Sequence, residues 1–127
     1  MENTENTCEV TVNGKTYPCH ISMAMDLVGG KWKCVILYYL KDGSKRFNEI
    51  KQLIPTITEM TLSLQLKQLE QSGLISRTVY GEKAPIKVVY EMTDFGKTFR
   101  PVLDSLYVWA HSLINLSEES KSKLNLL

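Results

Sequence analysis

The apolar period of this chain changes at Gly73. Before it, Leu62, Leu66 and Leu69 recur at i, i+4 and i+7, which is one face of a helix. After it come two β-rich runs, over 74–80 and 86–92, the second alternating Ile86, Val88 and Tyr90 with Lys87, Val89 and Glu91. A glycine at the change of period supplies the left-handed residue that ends such a helix. The connector Gly81-Glu82-Lys83-Ala84-Pro85 is polar and turn-forming, which predicts that the two runs close into a hairpin.

The remaining segments are punctuated as clearly. Val10-Thr11-Val12 and Lys15-Thr16-Tyr17 flank Asn13-Gly14, a pair that tolerates positive φ at both positions of a type I′ turn, and predict a small N-terminal hairpin ended by Pro18. Ser22 is the expected cap of a short helix carrying Met23, Ala24, Leu27 and Val28, stopped by Gly29-Gly30. A second helix, over about 31–42, turns Trp32, Val35, Ile36, Tyr39 and Leu40 inward and ends at Asp42-Gly43. Arg46-Phe47 reads as extended, Asn48 as the cap of a third helix through Leu53-Ile54, and Pro55 as its end. The fourth helix starts near Thr58. Beyond the β-rich runs, Thr93 caps a long helix to about Leu116 with Pro101 inside it, so the helix either kinks there or begins again. A short helix follows Ser117.

Helix, helix, turn, helix and hairpin is the order of a winged helix-turn-helix: an α+β, mainly helical fold with a small antiparallel wing and terminal helices left over for dimerisation. The expected division is an N-terminal segment at 1–18, one DNA-binding and dimerisation domain at 19–116, and a tail or short helix at 117–127. No apolar run approaches the roughly 20 residues of a membrane span, and the polar, acidic start is unlike a signal peptide, so the expected compartment is the cytoplasm. Three cysteines, Cys8, Cys19 and Cys34, are an odd number without a Cys-x-x-Cys pair, which argues against a disulfide scaffold.

Charge decides which partner such a fold meets. The whole chain sums to +1, yet residues 31–90 hold ten basic side chains against five acidic ones, a local +5 that leaves −4 for the flanks. With Leu62, Leu66 and Leu69 turned inward, the fourth helix directs Met60, Thr61, Ser63, Leu64, Lys67, Gln68 and Gln71 outward. Hydroxyls, amides and one lysine suit base edges and phosphates, and small apolar groups suit a thymine methyl. Together with Thr58, these residues of the helix are the expected readers of double-stranded DNA; a solvated polar face is the competing reading, against which Leu64 counts. Lys83 and Lys87 lie where a wing meets phosphate, if they are more than solvating lysines. Lys45 and Arg46 are placed to clamp the DNA backbone, and a salt bridge to Glu49 is the alternative for Arg46.

Residues 19–109 resemble the HxlR family of bacterial winged-helix transcription regulators, relatives of the MarR type. The resemblance rests on Met25-Asp26-Leu27-Val28-Gly29-Gly30-Lys31-Trp32-Lys33, Arg46-Phe47-Asn48-Glu49-Ile50, Leu66-Lys67-Gln68-Leu69-Glu70-Gln71-Ser72-Gly73-Leu74-Ile75 and Tyr90-Glu91-Met92-Thr93-Asp94-Phe95-Gly96 with Pro101-Val102-Leu103. It implies a homodimer on a pseudo-palindromic operator, joined through helices near both chain ends. The chain departs from the family at Met60, Thr61 and Leu64, where relatives often carry Lys, Met and Gln. The residues independently support a dimer: Phe99, Val102, Leu103, Leu106, Tyr107, Trp109, Ala110 and Leu113 cover more of the last long helix than one bundle face buries. Among them Phe99, Val102, Leu106, Trp109 and Leu113 are the expected interface, and a helix wrapped by its own domain is the alternative.

The resemblance also implies a thiol sensor at Cys19, where many members carry a cysteine used in some of them against oxidants or electrophiles. At the start of the first helix a thiolate gains from the dipole; a small apolar residue packed under the helix is the competing role. Cys34 points toward core positions and reads as inert. Cys19, His20 and Cys34 lack a fourth ligand and a zinc spacing, so no metal and no cofactor are expected. His20 and His111 stand apart without a nucleophile motif, and no catalytic residues are expected. Two other readings keep the fold: a regulator with a small ligand between the dimer helices, lined by Met25, Tyr38, Phe99 and Trp109, and a protein-interaction module.

Overall fold

Two separate antiparallel hairpins and seven α-helices make up the described part of the computed structural model, residues 9–124. The first hairpin pairs β1 (Val10–Val12) with β2 (Lys15–Tyr17), and its turn holds Asn13 at φ +50° and Gly14 at φ +79°, as a type I′ turn requires. Lys15 donates to the Asp26 carboxylate at 2.8 Å and ties this hairpin to helix α1 (His20–Val28). The hydrogen bond from Lys15, then that from Tyr17, holds the Asp26 carboxyl below its ordinary range, while bonding to Asp26 raises both Lys15 and Tyr17. The start of α1 differs from expectation. Cys19, still extended, is its N-cap, and Ser22 lies inside the first turn.

Helix α2 (Lys33–Leu40) is the hub, meeting α3, α4, α6 and β4. A helix covered on several sides does not keep one apolar stripe, which is why the expected face was only half right. Ile36 and Leu40 are buried as expected, but Leu37 is fully buried too and Val35 is exposed. Helix α3 (Phe47–Leu53) is capped by Arg46 instead of Asn48. Its backbone N–H donates to the Glu49 carboxylate at 2.7 Å, and the guanidinium makes no ion pair with Glu49. Lys45 is the extended residue here, exchanging two 2.8 Å backbone hydrogen bonds with Tyr90.

Helix α4 (Glu59–Gln71) follows the sequence closely. The Thr58 hydroxyl accepts the Thr61 N–H at 3.1 Å, Leu62, Leu66 and Leu69 are at most 1% exposed, and Gly73 at φ +79° reverses the chain. With Ile36, Leu37, Leu40, Ile50, Ile57 and Ile75 they form the centre of the core. Burying each such side chain contributes about 1.5–3 kcal/mol. The wing hairpin pairs β3 (Ile75–Tyr80) with β4 (Lys87–Met92) from Ile75↔Met92 to Tyr80↔Lys87. Along β4, Val89 and Met92 are buried and Ile86 just before the strand is exposed.

Of the two readings at Pro101, the helix begins again. Helix α5 (Asp94–Lys97) ends at Thr98, and α6 (Arg100–Ser112) starts with Pro101 in its first turn, where the missing N–H costs nothing. The break is built around Thr93: its hydroxyl accepts the Gly96 N–H at 3.0 Å and donates to the Gly73 carbonyl, while its own N–H bonds Leu74. A Cβ at Gly96 would overlap the Leu74 carbonyl oxygen, so only glycine fits this contact. A 3-10 turn (Leu113–Asn115) and α7 (Glu118–Ser122), capped by Ser117, are the last elements among the described residues. Among the described residues, no helix is long and apolar enough to cross a membrane.

Candidate nucleic-acid interface

The loop after α3 keeps Ile54 and Ile57 buried, and these two anchors set α4 against α2 and α3 with its far side exposed. Met60 (83% exposed) and Leu64 (51%) crown that side, with Ser63, Lys67 and Gln71 exposed around them. No acid stands among these five. Thr61 and Gln68 are half-buried on the flank toward α2, where the Gln68 side-chain oxygen accepts from Lys33 Nζ at 2.8 Å. The Thr58 hydroxyl, besides capping, donates to Thr61 Oγ1 at 2.9 Å. The expected recognition set thus divides into an exposed crest and a flank engaged by its own domain.

On the other flank lies the wing. Lys83 is exposed in its loop, and the Lys87 ammonium at the base of that loop sits 5.9 Å from the Tyr80 ring centroid. Arg46 is exposed and Lys45 half-buried, both beside the strand that carries Tyr90. The structure thus adds Arg77, in β3 opposite Tyr90, to the cations bordering α4. Nothing in its local sequence marks it, because strand register alone brings it there.

Helix α6 offers a second surface of another kind. Only Leu103 is buried; Val102, Leu106, Tyr107, Val108 and Trp109 are exposed, and Leu113 is half-buried. Tyr107 stacks on Tyr38 of α2 with centroids 5.7 Å apart and rings 6° from parallel. Phe99 is half-buried and packs against the domain's own core, lining a hollow with Leu27. The four residues expected to line a ligand site between the dimer helices lie apart within one protomer. Tyr38 lines a groove with Cys34, Val35, Leu103 and Leu106, Phe99 lies in a different hollow with Ala24 and Phe95, and Met25 and Trp109 line neither.

The thiols separate in the same way. Cys19 is half-buried at the start of α1. Cys34 donates to the Val28 carbonyl at 3.4 Å, and burial pushes its thiol above the ordinary value, which disfavours the reactive thiolate. Cys8 lies outside the described residues. Among the described residues no three His, Cys, Asp or Glu side chains gather into a metal site.

A family model described as HxlR-like helix-turn-helix matches residues 27–118, from the end of α1 into α7. The chain belongs to the HxlR family. It is 47% identical to the HTH-type transcriptional regulator YdeP of Bacillus subtilis (strain 168) over 91 residues, 72% of this chain and 70% of that one. It is also similar to the oxidized redox regulator HypR, with 41% identity, a TM-score of 0.71, and 74% of this chain and 96% of that one covered. The reduced transcriptional regulator YodB from B. subtilis matches with 37% identity and a TM-score of 0.63, over 71% of this chain and 87% of its own. The protein is therefore an HxlR-type transcriptional regulator with a winged-helix fold.

Proposed function

We propose that this HxlR-type regulator binds a pseudo-palindromic duplex as a homodimer, inserting the crest of α4 into the major groove of each half-site. The observation that carries this reading is the crest itself: Met60, Ser63, Leu64, Lys67 and Gln71 exposed together on a helix whose opposite side is locked in the core. Thr58 and Thr61 prepare the start of that helix. Gln68, held by Lys33, orients the flank. Lys45, Arg46, Lys83 and Lys87 are assigned to the sugar–phosphate backbone, and Val102, Leu106, Trp109 and Leu113 to the dimer seam. In this assignment residues 19–116 carry both activities, with 1–18 and 117–127 as accessory ends, and the protein works in the cytoplasm.

DNA affinity is further proposed to change when Cys19 is oxidised or alkylated. The support is its place as N-cap of α1, where the helix dipole favours a thiolate, and the similarity to a regulator named for redox control. The test is electrophoretic: the purified dimer is titrated against its own promoter region and against random DNA. Preference for a promoter fragment containing an inverted repeat is expected, and equal binding to both would sink the regulator reading. An unchanged response of Cys19→Ser to diamide or a quinone would remove thiol sensing while leaving DNA binding in place.

A further inference from the structure

Three cations border the notch between α4 and the wing, and two of them are exposed without an ion pair to any described carboxylate. Arg77 is directly opposite Tyr90 in the β3–β4 register, and Tyr90 is bridged on its other side by Lys45. Residues directly opposed across antiparallel strands project to the same face of the sheet. Lys45, Tyr90 and Arg77 therefore form one row across three extended segments. Facing the row, α4 contributes Ser63, Lys67 and Glu70. Ser63, Lys67, Glu70, Arg77 and Tyr90 together line a concavity of about 330 Å³. Lys67 and Arg77 are the exposed pair; Tyr90 is half-buried against the core, which fixes its ring at the base of the notch.

The geometry points to this notch as the seat of one DNA backbone phosphate in each half-site, with Arg77 and Lys67 as its charged ligands. The inference rests on the DNA-binding reading above and deepens it. A helix lying in a major groove about 12 Å wide has a sugar–phosphate strand along each flank, so one strand must pass between α4 and the wing. The notch matches that strand chemically. The Arg77 guanidinium can grip a phosphodiester through two N–H groups, Lys67 adds a point charge, and the hydroxyls of Ser63 and Tyr90 are further donors. Glu70 is the one opposing charge, and it lowers the affinity of the notch for any anion. Because the ligand is backbone and not base, these contacts act on every sequence alike.

The experiment measures fluorescence anisotropy of the full-length protein with two labelled duplexes across a salt series. One is the duplex that the wild-type protein enriches from a random pool, the other a random-sequence duplex. For Arg77→Ala the log–log salt slope is expected to become shallower by about 1 per protomer, with affinity falling roughly 10-fold on both duplexes and their ratio unchanged. Glu70→Gln is expected to move the other way, tightening both complexes about 2- to 5-fold by removing one repulsive charge. Both positions are exposed, and matching melting curves confirm folding. Wild-type slope and affinity in both variants would overturn the inference, as would an Arg77→Ala change confined to the ratio, which would make Arg77 a base reader. A wild-type protein that enriches no duplex would instead overturn the DNA-binding reading, and the notch with it.

Discussion

The outer sides of α4 and α6 both leave leucine in solvent, yet they differ in how the exposed groups are arranged. On α4, Met60 and Leu64 form one small apolar pair, four residues apart and bordered by Ser63, Lys67 and Gln71. On α6, Val102, Leu106 and Trp109 adjoin one another, and Ile114 and Leu116 extend the apolar surface toward the chain end. A small apolar pair in a polar frame fits a surface that is itself mostly polar with single methyl groups, as a DNA groove is. A continuous apolar face fits another protein. Degree of exposure therefore says little about the partner, and the arrangement of the exposed groups says much.

The largest effect should come from breaking the α6 side. Leu106→Glu with Trp109→Glu places two charges on the proposed seam; sedimentation should show a monomer, and affinity for the inverted repeat should fall about 100-fold or more as two-site binding is lost. A dimer that persists would assign these side chains to solvent. Next in size is the joint between the two surfaces. Gly96→Ala drives a methyl group into the Leu74 carbonyl and should cost roughly 2–3 kcal/mol in denaturant unfolding. On the α4 side, Leu64→Ala should leave stability within about 0.5 kcal/mol while altering preference at one base pair per half-site by about 1–3 kcal/mol, measured by selection from a randomised operator. Unchanged preference would mean that Leu64 does not touch a base.

The smallest effect concerns the N-terminal hairpin. Asp26 has a lowered pKa, so its contact with Lys15 stabilises the hairpin above the ordinary carboxylate value and is lost as pH falls through the lower folded value. Lys15 has a raised pKa, so its share is complete below the ordinary lysine value and is lost as pH rises through the higher folded value. Between those limits the tie is intact. Lys15→Ala should return Asp26 toward the ordinary range in an NMR titration, and exchange of the Val10–Tyr17 amides should quicken.

How much the sequence disclosed follows from how local each signal is. The leucine stripe of α4, its start near Thr58, the reversal at Gly73 and the Asn13-Gly14 turn all lie within a few residues, and all are found where expected. The buried face of α2 was misread because that helix meets four other elements, so Leu37 is buried outside the single stripe that a periodic pattern can reveal. Cys19 caps α1 in place of Ser22 where the hairpin, tied by Lys15 to Asp26, delivers the chain to the helix. Whether the helix kinks at Pro101 or begins again there stays open in the sequence, because the break is set by the contacts of Thr93 and Gly96 with the turn after α4. Arg77 is invisible in sequence, since it joins the site only through a partner across the sheet.

The Thr93 hydroxyl holds the turn after α4 and the start of α5 on a single oxygen, beneath a glycine that tolerates no added atom. The end of α4 is thereby tied directly to α5, which leads into the helix of the proposed seam. In the proposed dimer, a small rotation between protomers at the seam would change the distance between the two α4 crests. Half-sites of such dimers repeat about every 10–10.5 base pairs, so the proposed complex reads helical phase, and a spacer altered by half a helical turn should abolish two-site binding that the protein's contacts alone would allow.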